Sequence, residues 1–113
     1  MTNTNGEVVM IRYGRTANNQ PKNTLYTIKV NNQVYFGISR CKIEQDQFSK
    51  VHGRYIASGR AELALEDGAD SDDMLVHVSG LRGVVAAEKV GKLLQYFEQV
   101  DEYLAPEYTK RKR

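Results

Sequence analysis

The feature that most constrains this chain is a change of hydrophobic period between Tyr35 and Ala64. Up to Ile38 the apolar residues alternate with polar or small ones, which is the period of a β-strand. From Phe48 onward they recur every three or four positions, which is the period of an amphipathic helix. A strand that leads into such a helix predicts a sheet with a helix packed on it. The predicted helical stripe comprises Phe48, Val51, His52, Tyr55, Ile56, Gly59 and Leu63.

This stripe is expected to face the sheet, with Lys50, Arg54, Ala57 and Ala61 on the opposite side. Acidic residues suit a helix N-terminus, so the helix is predicted to begin between Glu44 and Asp46. Within the stripe, Gly59 indicates a close backbone contact, and His52 is interpreted as a packed, hydrogen-bonded side chain. The helix is therefore expected to bury its large apolar residues.

The remaining periods predict further strands and one more helix. Val8 to Tyr13 and Leu25 to Val30 read as strands, and Asn31-Asn32 as a two-residue turn, since Asn tolerates positive φ. That turn sets a register in which Ile28 pairs with Tyr35, Tyr26 with Gly37, Leu25 with Ile38, and Thr27 with Phe36. Met74 to Ser79 is predicted as a fourth strand, and a long helix is predicted from Val84 to Leu104.

The predicted fold is α+β, in the order β-β-β-α-β-α, with a mostly antiparallel four-stranded sheet and two helices on one face. Residues 1–7 are expected to be a mobile N-terminus, 8–105 a single domain, and 106–113 a basic tail. Because two helices would cover one face only, and both faces carry apolar residues, a homo-oligomer is expected. The second face, with Tyr26, Ile28 and Tyr35, would be an interface or a ligand surface.

Charge is distributed unevenly along the chain, although the net charge is only +2. From Val8 to Arg60 there are nine cations and two anions, and from Ala61 to Glu107 there are three cations and eleven anions. This asymmetry predicts one basic face. The single cysteine, Cys41, excludes an internal disulfide and fits a reducing compartment. With no apolar run long enough to cross a bilayer, a cytoplasmic protein without a membrane partner is expected.

Several basic and aromatic residues are candidates for binding an anion. Arg40, Arg54 and Arg60 flank the strand-to-helix junction, and Tyr26 and Tyr35 could stack on a base. The segment Ser79 to Gly83, which contains Arg82, could cradle an anion before a helix N-terminus. A second stripe of the last helix places Lys89 and Lys92 beside Tyr96. The alternative is structural: Glu62 and Glu66 could pair with the arginines, and most charges could simply be solvated.

The residue pattern disfavours an enzyme, because no carboxylate pair, Ser-His-Asp set or exposed thiol is indicated. The acidic segment Glu66 to Asp73 lacks the order of a calcium loop, so a solvated loop is preferred to a metal site, and no cofactor is expected. Three functions stay open at this level. They are a non-enzymatic binder of a small anionic nucleotide, a nucleic-acid-binding protein, and a protein inhibitor that acts through its acidic half.

The junction itself carries a resemblance to known proteins. A strand ending YFGISRC, followed by D-x-F-x-K-x-x-G-R-x-I-A-x-G-R-A from Asp46 to Ala61, resembles small, mostly uncharacterised proteins of tailed bacteriophages. In size, element order and basic residues the chain is also similar to the anti-Thoeris sponge family. That resemblance implies an oligomeric counter-defence protein that sequesters a cyclic ADP-ribose type of signal in the host cell. No binding residue of that family is carried over.

Overall fold

The computed structural model describes residues 7–15, 21–40 and 50–99, and these form an α+β domain around a five-stranded antiparallel sheet. The strands lie in the order β1-β2-β3-β5-β4. Four features of the sequence analysis fall outside the described residues. They are the predicted start of the first helix, Cys41, the predicted end of the second helix and the basic tail. The strands are β1 (Glu7–Arg15), β2 (Pro21–Val30), β3 (Gln33–Arg40), β4 (Met74–Val76) and β5 (Arg82–Ala86).

The β2–β3 hairpin has the register that its turn predicted. Tyr26 lies opposite Gly37, and Ile28 lies opposite Tyr35. Asn31 adopts φ 57°, in the left-handed region that a tight two-residue turn requires and that Asn tolerates. Because a shift of one residue would move every side chain to the other face, this turn fixes what each face of the sheet contains.

The prediction of four strands and a helix from Val84 is wrong. The predicted fourth strand ends at Val76, and Arg82–Ala86 then forms a fifth strand between β3 and β4. A 3₁₀ turn follows at Ala87–Lys89, and residues 90–99 form helix α2. A short apolar run can be a buried strand or the first turn of a helix, and periodicity does not separate them. Val84 and Val85 are both buried and β-branched, which suits an interior strand of the sheet such as β5.

The expectation that both helices lie on one face is also wrong, because they cover opposite faces of the sheet. Alternation along β3 gives the face of Phe36 and Ile38, here called face A, and the face of Tyr35 and Gly37, here called face B. Helix α2 packs on face A through Leu93 and Phe97. Helix α1 (Lys50–Asp67) packs on face B. Each face of the sheet thus carries one helix, which removes the reason for expecting a homo-oligomer through an uncovered second face.

Face A holds the larger apolar cluster. Its members come from three strands and α2, and all are buried: Leu25, Val34, Phe36, Ile38, Val85, Leu93 and Phe97. The Phe36 and Tyr96 rings lie 6.3 Å apart at 58°, a tilted arrangement that adds to the area they bury. At Gly83 the absence of a side chain makes room for the Phe36 ring.

Helix α1 packs on face B through small residues, not through the predicted stripe. Its buried positions are Gly53, Ala57, Ala61 and Ala64. A Cβ at Gly37 would overlap the Ala57 carbonyl oxygen and the Ala61 amide, so the helix backbone lies directly on this strand. The close contacts are thus at Gly37 and Gly53, whereas a Cβ at Gly59 would meet nothing within 4 Å.

The large residues of the predicted stripe consequently face outward. Val51 is 69% exposed, Tyr55 73% and Leu63 45%, and His52 is exposed as well. Sequence analysis is right that these apolar residues lie on one side of α1, but it is wrong that this side packs against the sheet. The side of α1 with small residues packs on the sheet because Gly37 and Ser39 of β3 lie on face B. Ser39 Oγ donates a hydrogen bond to the Gly53 carbonyl at 3.1 Å.

Candidate functional site

Two arginines from different elements meet at the flank of α1 on face B. Arg60 lies on α1 beside Gly37, and Arg82 is the register partner of Gly37 on β5. Both side chains are half-buried. Arg60 Nη1 donates a hydrogen bond to the Ile38 carbonyl oxygen at 2.7 Å, which holds its guanidinium against the sheet. Sequence analysis proposed both residues as anion ligands but did not bring them together, because only the fifth strand places Arg82 there.

The two guanidiniums lie close enough to affect each other. Burial lowers the pKa of Arg60 from its ordinary value, and the neighbouring positive charge of Arg82 lowers it further. An arginine stays protonated throughout the physiological range, so the result is not a neutral side chain. The result is a pair of partly desolvated cations whose repulsion an anion would relieve.

The hydrogen-bonding capacity of the pair is only partly used. Arg82 Nη2 lies 3.5 Å from Asp67 Oδ2, a loose ion pair with a half-exposed carboxylate. Within the described ranges, Arg82 Nε and Thr24 Oγ1 are the buried side-chain polar atoms that have no hydrogen-bond partner. Among the same residues no carboxylate forms an ion pair with Arg60. Two half-buried guanidiniums with one loose ion pair between them and the described carboxylates favour a ligand with several acceptor oxygens.

Asp67 is the residue of this site that sequence analysis missed. It lies seven residues after Arg60, which is two helical turns and therefore the same side of α1. That spacing is visible in the sequence, but the orientation predicted for α1 gave no reason to place Asp67 beside Arg82. The structural alternative named Glu62 and Glu66 as partners for the arginines, and both are exposed in the structure.

The other two arginines of the predicted set do not join the pair. Arg40 ends β3 and, by alternation, falls on face A with Ile38. Its side chain is partly buried, and burial lowers its pKa. Arg54 is exposed on α1. The three guanidiniums of the strand-to-helix junction are therefore separated, and only Arg60 contributes to the site.

Of the two tyrosines predicted to stack on a base, Tyr35 is engaged in internal contacts. Tyr35 is 6% exposed, and its hydroxyl donates a hydrogen bond to the Ala69 carbonyl at 3.0 Å. Its ring lies in a small cluster with Ala64 and Val84 under α1, so it is not accessible for stacking on a base. Tyr26 is half-buried on the same face.

The basic and aromatic stripe of the last helix is also engaged in internal contacts. Lys92 Nζ donates to Asp73 Oδ1 in an ion pair, and Lys89 adds a favourable charge near the same carboxylate. Tyr96 is half-buried, and its hydroxyl donates to the Gly80 carbonyl at 2.5 Å. The segment Ser79 to Gly83 is thus fixed by Tyr96, and it leads into β5 and not into a helix N-terminus as predicted.

The acidic loop after α1 is held by hydrogen bonds to β3, whereas sequence analysis preferred a solvated loop. The Gln33 side chain pairs with Ser71 in both directions, since Nε2 donates to the carbonyl and Oε1 accepts from the amide, each at 3.0 Å. With the Tyr35 bond to Ala69, two residues of β3 clamp the loop. Over the part of the chain that the structure describes, no group of three histidine, cysteine or acidic residues could hold a metal ion.

A cleft lies on face A between α2 and the strands β1 and β2. It has a volume of about 250 Å³ and is lined by Arg12, Tyr13, Gly14, Asn23, Leu94, Phe97 and Glu98. One cation and one carboxylate line it together, so its charge is mixed and it is less suited to a phosphorylated ligand than the arginine pair. Sequence analysis gave no signal for this cleft.

Among the described residues no helix is long and apolar enough to cross a membrane. A comparison of the chain with family models, with curated proteins and with solved structures finds no match. The function is therefore argued from the chemistry of the site itself.

Proposed function

We propose that this protein is a non-enzymatic binder of a small anionic ligand of the cyclic-nucleotide class, and that Arg60 and Arg82 hold its phosphate. The resemblance of the strand-to-helix junction to bacteriophage proteins supplies the setting, which is sequestration of a defence signal in the host cytoplasm. The observation that carries the proposal is a pair of neighbouring half-buried guanidiniums, of which Arg82 has a loose ion pair with Asp67 and Arg60 has none with a described carboxylate.

The chemistry of the pair favours a phosphate over a single carboxylate. A guanidinium presents five N–H donors in a planar fork, and two forks can share the oxygens of one phosphate. Arg60 is already positioned by the Ile38 carbonyl, so little side-chain freedom is lost when the anion binds. Asp67 would compete with the ligand for Arg82, since its carboxylate is the anion nearest to that guanidinium.

The test is a calorimetric titration of the protein with cyclic ADP-ribose, 3′,5′-cyclic AMP, inorganic phosphate and a single-stranded oligonucleotide. Arg60→Ala and Arg82→Ala should each weaken binding of the preferred ligand by about 1.5–3 kcal/mol, the range for a hydrogen bond to a charged group. Arg54→Ala is the matched control, because this exposed cation lies on the same helix away from the pair. Equal losses in all three variants would contradict a site at the pair.

Asp67→Asn separates a ligand site from a structural role. If Asp67 competes with the anion, the variant should bind phosphate more tightly than the unchanged protein does. If the arginines only stabilise the fold, Arg60→Ala and Arg82→Ala should lower the melting temperature, and no variant should alter binding.

Binding to a nucleic-acid backbone is the principal alternative, and salt distinguishes it. Backbone binding weakens linearly in a log–log plot against salt, with a slope of about 0.7 per phosphate contacted on a single strand. Tight binding of the oligonucleotide with a steep slope, insensitive to Arg82→Ala, would favour that alternative over the small-ligand proposal.

A further inference from the structure

The outward face of α1 carries large apolar side chains against water. Val51, Tyr55 and Leu63 follow one another at intervals of four or eight residues, and Gly59 completes the row. Tyr55 is 73% exposed and Leu63 45% exposed, while the side facing the sheet holds alanine and glycine. A helix normally buries its larger apolar side, so this arrangement indicates that a second surface covers the row.

The row is self-complementary about Gly59. Tyr55 and Leu63 lie four residues before and after it, which places them about 40° to either side of Gly59 at 100° per residue. In a twofold interface, if one residue of the first copy contacts a second residue in the other, the converse contact also forms. Two antiparallel α1 helices that cross at Gly59 would bring Tyr55 of each copy level with Leu63 of the other. A Cβ at Gly59 meets nothing within 4 Å, so the two backbones could approach closely there.

Charge along the helix favours the antiparallel arrangement. On the outward face, His52 lies in the first half of α1 and Glu66 in the second, each about 20° from Gly59 at 100° per residue. An antiparallel pair places His52 of each copy level with Glu66 of the other, where the imidazole can donate a hydrogen bond to the carboxylate, whereas a parallel pair would place Glu66 against Glu66. We propose that the outward face of α1 binds the same face of a second copy, antiparallel and centred on Gly59. This inference does not depend on the arginine pair.

The first experiment is sedimentation velocity of the full chain over a range of concentrations. The unchanged protein should form a dimer. Tyr55→Glu should dissociate it, because the new carboxylate meets Glu62 and Glu66 of the second copy. Leu63→Lys should also dissociate it, because it removes an apolar contact at the level of Tyr55. Val78→Glu is the control, since Val78 is 95% exposed on the turn after β4 and away from α1. It should leave the dimer unchanged.

The decisive variant combines Tyr55→Glu with Leu63→Lys in one chain. Only an antiparallel pair places each new carboxylate level with a new ammonium of the other copy, so the double variant should recover the dimer that both single variants lose. Circular dichroism checks that each variant is folded, and Tyr55→Ser provides a milder replacement where Tyr55→Glu is not. A monomer for the unchanged protein, unaffected dimers in the single variants, or no recovery in the double variant would each overturn the proposal. The first of these results would indicate that another segment of the same chain covers the row.

Discussion

Two adjacent residues of β3 show how differently the two faces of the sheet are packed. Phe36 points into face A, where it is fully buried among large side chains from β2, β5 and α2. Gly37 points into face B, where the backbone of α1 occupies the space that a side chain would need. Face A is held by the volume of its side chains, and face B by the close approach of a helix to a strand.

The difference has consequences for the surface. Because α1 turns its small residues inward, its large apolar residues and its charges remain on the outside or at the flank. Arg60 reaches the sheet carbonyl of Ile38 only because the helix lies so close to β3. Both the arginine pair and the proposed dimer face thus follow from the packing of α1 on the sheet through its small residues.

The largest effect is expected where face A loses volume. Phe36→Ala should lower the free energy of unfolding by about 3–5 kcal/mol, because it removes a fully buried ring and leaves a cavity. Chemical denaturation followed by circular dichroism measures this change. A loss below about 1 kcal/mol would mean that face A can collapse around the deletion and is not packed by volume.

The complementary change adds volume to face B. Gly37→Ala should cost about 3 kcal/mol, since the new Cβ meets helix backbone that cannot rotate away. Gly91→Ala on α2 is the matched control, because nothing lies within 4 Å of its Cβ, and it should be neutral or stabilising by up to about 1 kcal/mol. The close approach of α1 to β3 would be contradicted if the two variants were equally stable.

Tyr35 tests the polar clamp at the end of face B. Burial raises the pKa of its hydroxyl, and the negative charge of Asp70 raises it further. Because the pKa is raised in the folded state, the stability that Tyr35 contributes is fully present below its ordinary pKa of about 10. That contribution is lost as the pH rises through the pKa of the folded protein. Tyr35→Phe should cost about 0.5–1.5 kcal/mol at neutral pH, and it should flatten the alkaline decline.

Melting temperatures between neutral and alkaline pH measure both effects of Tyr35→Phe. Tyr55→Phe is the control, because that hydroxyl lies on an exposed ring of the same protein. If the melting temperature of Tyr35→Phe falls at alkaline pH as steeply as that of the unchanged protein, groups other than Tyr35 cause the fall.

The smallest effect is expected at the ion pair between the acidic loop and α2. The hydrogen bond from Lys92 lowers the pKa of Asp73, and the positive charges of Lys92 and Lys89 lower it further. A lowered pKa means that stability is present above the ordinary carboxyl value and is lost as pH falls through the folded value. Asp73→Asn should therefore slightly reduce the acid sensitivity of the melting temperature. The effect should fade in high salt, because salt screens an exposed ion pair.

Sequence analysis predicted the local features better than the packing. The β2–β3 hairpin and its register are confirmed, because an Asn-Asn turn fixes pairing within a few residues. The five-stranded sheet was missed at Arg82–Ala86, where an apolar run of this length fits either a strand or a helix. Of the site residues, Arg60 and Arg82 were named, but their proximity depends on that missed strand.

By itself the sequence determined the elements whose causes are local. These are the alternation in β3, the turn at Asn31, and a helix with apolar residues on one side and small residues on the other. Only the tertiary structure decided which side of α1 faces the sheet, that the two helices cover opposite faces, and that Arg60 meets Arg82. The physical reason is that helix periodicity reports amphipathicity but not the partner. A glycine on a neighbouring strand can favour the small side by allowing backbone contact, and that strand is distant in the sequence.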